Sequence, residues 1–160
     1  MRRTMVSLVM VGTTVGLLIA PSGAGAQTEG VQSTTCDING TATFDPGLKL
    51  SARQQTVKIT ATLSNCVGGG VTSGKARGKA TGSMSCFGGS GEGQAGVRWD
   101  TGEVSAGTAT VSSTGDITGT ITYGKFIGEP VTADITATPG PGDCILRPIT
   151  KATLTGTISI

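Results

Sequence analysis

The chain has 160 residues, 27 of them glycine, no histidine, and a formal charge of +2 from 12 Lys+Arg against 10 Asp+Glu. The lack of histidine excludes Ser-His-Asp and Cys-His nucleophile arrangements and the usual His-based metal triads. Arg2 and Arg3 account for the whole charge excess, and the rest is balanced at ten cations and ten anions, so no nucleic-acid partner is expected.

Arg2 and Arg3 precede an uncharged, mostly apolar stretch from Met5 to Ala20, which ends in Pro21 and the small residues Ser22 to Ala26. A positive head, an apolar middle and an Ala-x-Ala end predict a secretory signal peptide over residues 1–26, cleaved after Ala26. The apolar run is short for a bilayer core, which needs about 20 residues. No later run reaches that length, so the mature chain is expected to have no transmembrane segment. Residues 27–35 (QTEGVQSTT) are polar and read as a loose N-terminal tail. The remainder, 36–160, reads as a single β domain.

Short strands separated by turn signals follow. The first is Gly40–Phe44, closed by Asp45-Pro46-Gly47. Thr56–Ser64 alternates Val57, Ile59, Ala61 and Leu63 with Lys58, Thr60, Thr62 and Ser64. Val71–Met84 is long and interrupted by glycine, and Gly93–Trp99 precedes the turn Asp100-Thr101-Gly102. Thr108–Ser112, Asp116–Phe126 and Val131–Thr138 come next, and Ala152–Ile160 sets Ala152, Leu154, Ile158 and Ile160 on one face. Sustained 3.6-residue periodicity is lacking, and the high Thr and Gly content favours strands and turns over helices. The expected fold is all-β: an antiparallel β-sandwich or barrel of about eight short strands.

Only five aromatic side chains are present: Phe44, Phe87, Trp99, Tyr123 and Phe126. A core this poor in large side chains needs covalent support, since each buried large apolar side chain contributes only about 1.5–3 kcal/mol. Cys36, Cys66, Cys86 and Cys144 supply it as two disulfides, the default for an even cysteine count in a chain bound for an oxidising compartment. Their gaps of 30, 20 and 58 residues do not fit a structural zinc site, so no metal and no cofactor are expected. An internal repeat bears on the pairing. Ile59-Thr-Ala-Thr62 runs into Cys66 as Ile135-Thr-Ala-Thr138 runs into Cys144; Val71-Thr72 matches Ile149-Thr150, and Gly78 matches Gly156. One bridge per half gives Cys36–Cys66 and Cys86–Cys144, with two other connectivities open.

The pattern Cys36, Gly40-Thr-Ala-Thr-Phe44, Pro46-Gly47-Leu48, Thr62-Leu-Ser-Asn-Cys66, Trp99-Asp-Thr-Gly102, Gly124-Lys-Phe126, Asp143-Cys144, Gly156-Thr157 resembles a group of small secreted actinobacterial proteins with no assigned activity. It covers nearly the whole mature chain. The resemblance implies a stapled β fold and an extracellular address, and no mechanism. The Gly/Thr-rich, two-disulfide character is also similar to the enediyne apoproteins, which are Ig-like sandwiches, but their closely spaced cysteines are missing here.

No catalytic constellation emerges. The ten acids (Glu29, Asp37, Asp45, Glu92, Asp100, Glu103, Asp116, Glu129, Asp134 and Asp143) mostly sit at expected turns, where carboxylates commonly cap the backbone. Gly68-Gly69-Gly70 and the Gly88–Gly93 run read as flexible loops, since no helix follows to make a phosphate loop. Lys75, Arg77 and Lys79 alternate with small residues and so share one face of a strand, about 6.6 Å apart. They read as an anion- or ligand-binding stripe, as a solvated face, or as charges guarding a sheet edge. Trp99 reads as the main core residue or as a sugar-stacking platform. The expected function is that of a secreted, non-enzymatic protein, an extracellular or cell-wall-associated binding or structural module. Its candidate partners are a cell-wall glycan, a lipid or another secreted protein. The alternatives are a secreted hydrolase with paired carboxylates, and a protein-binding effector or inhibitor presenting loops at 67–70 and 87–93.

Overall fold

The computed structural model describes residues 33–112 and 115–160. The expected signal peptide, and the expected tail as far as residue 32, lie outside the described residues. Among the described residues eight strands form: β1 Thr35–Leu48, β2 Arg53–Val67, β3 Gly74–Ser85, β4 Gly88–Trp99, β5 Val104–Ser112, β6 Asp116–Gly124, β7 Pro130–Pro139 and β8 Ile149–Ser159. Each pairs antiparallel with its sequence neighbour, and β8 returns to pair with β1, which closes the sheet. Of the two expected architectures the chain therefore forms the barrel, and the sandwich reading is corrected. Strands of 9 to 15 residues run continuously round the circumference and leave no second sheet to pack on.

Alternation decides which side of the wall is inside. On β2, Gln55, Val57, Ala61 and Leu63 are buried while Lys58, Thr60 and Thr62 are exposed. On β8, Ala152 and Leu154 are buried between the exposed Lys151, Thr153 and Thr155. The outer wall is thus threonine and charge, and the lumen is aliphatic. A lipid-spanning barrel has the reverse arrangement.

Three further expectations change. Asp45-Pro46-Gly47 does not end the first strand: β1 continues to Leu48, with its register to β8 slipping between Thr43 and Leu48. The bend is held from inside by buried Gln55, whose side chain accepts from the Gly47 N–H at 3.0 Å and donates to the Gly47 carbonyl at 2.9 Å. Gly88–Gly93 is the start of β4 and not a loop. A Cβ at Gly93 would lie 1.9 Å from the Lys79 carbonyl oxygen, so glycine here lets β4 press against β3. Finally, β3 lies inside a closed sheet, which removes edge protection as a reason for its charges. Beyond these, the expected loose tail is corrected at its last residues: Thr35 opens β1, and Thr34 is fully buried and exchanges backbone hydrogen bonds with Ile160 at 2.9 Å each way, which ties it into the barrel.

The two barrel ends differ. At one end Leu63, Val71, Trp99 and Phe126 fill the lumen, with the Cys36–Cys66 disulfide inside the β1–β2 pairing. The other end carries Cys86–Cys144. The β3–β4 and β7–β8 connections lie on opposite sides of an eight-strand circle, so this second bridge straps the 140–148 segment across the barrel mouth. Both bridges have the connectivity favoured by the repeat, whose two copies are the β2–β3 and β7–β8 hairpins.

Candidate ligand-binding surfaces

Lys75, Arg77 and Lys79 project outward from β3, as the strand alternation requires. Register adds two cations that spacing along one strand could not show. Lys58 on β2 stands directly opposite Lys79, and Arg98 on β4 stands opposite Lys75. Like charges directly opposed across a ladder are destabilising. Among the described residues the one ion pair is Lys125–Glu103 at 2.9 Å, so these five cations have no carboxylate partner. Beside them the outward positions of β4 and β5 are Gly96 and Ala106, directly paired. Their lack of side-chain bulk leaves a trough of about 660 Å³, bordered by Lys58, Arg77, Lys79, Gln94, Thr108 and Thr122. Lys58, Arg77 and Lys79 therefore stand on the rim of a concave surface, with Lys75 and Arg98 beyond it. Its rim offers charge-assisted donors from lysine and arginine, together with amide and hydroxyl groups that can donate or accept.

Trp99 does not join this surface. It is 2% exposed and points to the opposite side of the wall. Its Nε1 donates to Ser105 Oγ at 2.8 Å, which in turn donates to the Lys125 carbonyl at 2.5 Å. Phe126 packs edge-on against it, with ring centroids 5.6 Å apart and planes at 86°. The indole thus stands in the core, its polar edge satisfied.

Asp100, Glu103 and Asp143 serve turns. Asp100 accepts from the Thr72 backbone N–H and hydroxyl, and the hydroxyl above all lowers its pKa. Lys125, then Thr101, lowers that of Glu103. Asp143 Oδ1 accepts from the backbone N–H groups of Ile145, Leu146 and Arg147, and the Arg147 bond leads in lowering its pKa. One pair of acids is brought together: Asp116 on β6 faces Asp134 on β7 across the outer wall, beside a shallow depression of about 410 Å³. Sequence spacing gave no sign of this pairing, because 18 residues separate the two.

Fold and bridges together define a small, disulfide-bonded, up-and-down antiparallel β-barrel, of the kind suited to an oxidising, extracellular-type environment. Compared with protein-family models, curated proteins and solved structures, the chain matches none.

Proposed function

We propose that this protein is secreted and acts outside the cell as a non-enzymatic binding barrel whose basic trough holds an anionic polymer, such as an acidic glycan of the cell wall. The observation that carries this reading is the opposition of Lys58 to Lys79 and of Lys75 to Arg98 without intervening acids. A solvated strand face has no need of such pairs, whereas a polyanion laid across β2–β4 would neutralise them. The leader-like residues 1–26 and the two bridges support the extracellular address. The motif likeness supports kinship with the small secreted actinobacterial proteins.

Titration with polygalacturonate, against neutral dextran as control, tests the reading. Binding should be confined to the polyanion, weaken with added salt and fall in Arg77→Ser and Lys79→Thr. Equal affinity for dextran, or undiminished binding by both variants, would refute it. A second reading, hydrolysis by paired carboxylates, rests on Asp116 facing Asp134. Turnover of a polysaccharide substrate that disappears in Asp134→Asn would favour it over the first.

A further inference from the structure

An eight-strand barrel has an interior just wide enough to be filled by side chains or to hold one small ligand. Here one side of the interior is lined by residues that cannot fill it. The inward positions are Ala76, Gly78 and Ala80 on β3, Gly93 and Ala95 on β4, and Gly107 and Ala109 on β5. The isoleucines of the facing strands do not reach across. Two voids remain, one of about 100 Å³ in the barrel's middle and one of about 130 Å³ toward the Cys86–Cys144 end. Ile59, Val111 and Ile117 border both, so the voids succeed one another along the barrel axis.

The walls are mainly apolar, with Ser105 beside the middle void and Ser85 and Ser112 beside the one toward the Cys86–Cys144 end. Gln55, Ser85 and Ser105 are buried, but each directs its hydrogen bonds to the barrel's own backbone, at Gly47, Gly88 and Lys125. Apolar voids of this size stay dry and accept apolar guests. Each void alone is smaller than a cavity of about 150 Å³ that takes benzene. Two such spaces in line suit a slender guest better than a ring.

A separate observation marks the way in. One end is plugged by Trp99 and Phe126. Both ends carry exposed apolar side chains, Val67, Val104, Tyr123 and Ile127 at the plugged end and Leu50, Phe87, Ile145 and Leu146 at the other, so it is the plug that distinguishes them; the latter four stand on the 49–52, 86–87 and 140–148 connections. These segments are joined by Cys86–Cys144 and by the bonds Leu50 N–H to Cys144 carbonyl at 3.2 Å and Cys86 N–H to Lys49 carbonyl at 2.8 Å. The larger void lies at this unplugged end.

We propose that the lumen is a binding site for one unbranched aliphatic chain, entering past the 140–148 segment at the Cys86–Cys144 end. The basic trough lies on the other face of the same β3–β5 wall, and Ala109 lines the void alone, so either site can fail without the other. The test is methyl NMR of the oxidised protein titrated with n-octanol, and in a second arm with phosphatidylcholine vesicles. Saturable shifts of the Ile59 and Ile117 methyls are expected, and they should vanish in Ala109→Leu, which fills the space between these residues. If that variant does not fold, the wild-type pattern decides alone. Shifts confined to Leu50, Ile145 and Leu146 would mean surface adsorption and would overturn the proposal, as would no shift at saturating octanol. Lumen shifts in the vesicle arm as well would make a membrane lipid's acyl chain the source; shifts with octanol alone would assign the site to free single-chain molecules.

Discussion

The two bridges close loops with sequence separations of 30 and 58 residues. In the chain-entropy account, breaking them releases about 3.6 and about 4.2 kcal/mol of denatured-state entropy at 25 °C. Together that is comparable to the whole stability of a typical domain, about 5–15 kcal/mol. The barrel should therefore be mostly unfolded once fully reduced, and each single-bridge variant should lose about 15 °C in Tm. Trp99, the one tryptophan, is buried in the core and reports unfolding directly. Urea titrations of Cys36→Ala/Cys66→Ala and Cys86→Ala/Cys144→Ala, followed by its emission, read the two losses separately. The local consequences should differ. Cys36–Cys66 reinforces strands already paired from Asp37 to Asp45, whereas Cys86–Cys144 straps a loop over the mouth. Amide exchange in residues 140–148 should accelerate only in the second variant. A reduced protein that keeps its full Tm would refute the argument that so thin a core depends on its bridges.

Other outcomes follow from the same contacts. Ser105→Ala leaves the buried Trp99 N–H and the Lys125 carbonyl without their partner, and should cost about 1–3 kcal/mol by calorimetry. Lys79→Thr relieves the opposition to Lys58 and should stabilise the fold by about 0.2–1 kcal/mol, a gain that shrinks in high salt, while lowering polyanion affinity. Asp134→Thr, relieving the opposition to Asp116, should likewise stabilise slightly in urea titrations unless Asp134 has a role that repays the repulsion. The Asp100 carboxyl has a pKa lowered from 3.8 by the Thr72 hydroxyl. Its contribution is therefore present above that value and lost as pH falls through the lower, folded-state pKa. Exchange at the Thr72 amide should rise in that acid range, and Asp100→Asn should remove the dependence.

Much of the fold is legible in the residues themselves. A strand forms at each of the eight places where alternation predicts one, because a strand that buries one face records that choice locally, but β1, β4 and β5 run past the limits that turn residues suggest. The bridge pairing is legible as well, since the repeated Ile-Thr-Ala-Thr segment before Cys66 and Cys144 marks equivalent hairpins. The glycine-rich start of β4 is misread because glycine in a strand looks like glycine in a loop until the neighbouring backbone is seen pressing on it.

Composition and local pattern thus determine an all-β, doubly bridged chain with an apolar inner face, a basic strand and few residues able to do acid–base chemistry. Tertiary structure alone decides that β1 meets β8, that Lys58 and Arg98 join the stripe, that Asp116 faces Asp134, and that a file of small inward residues leaves two voids in an otherwise filled lumen. Each of these depends on register or closure between strands distant in sequence. Alternation says which way a side chain points, and only the closed barrel says what stands opposite it.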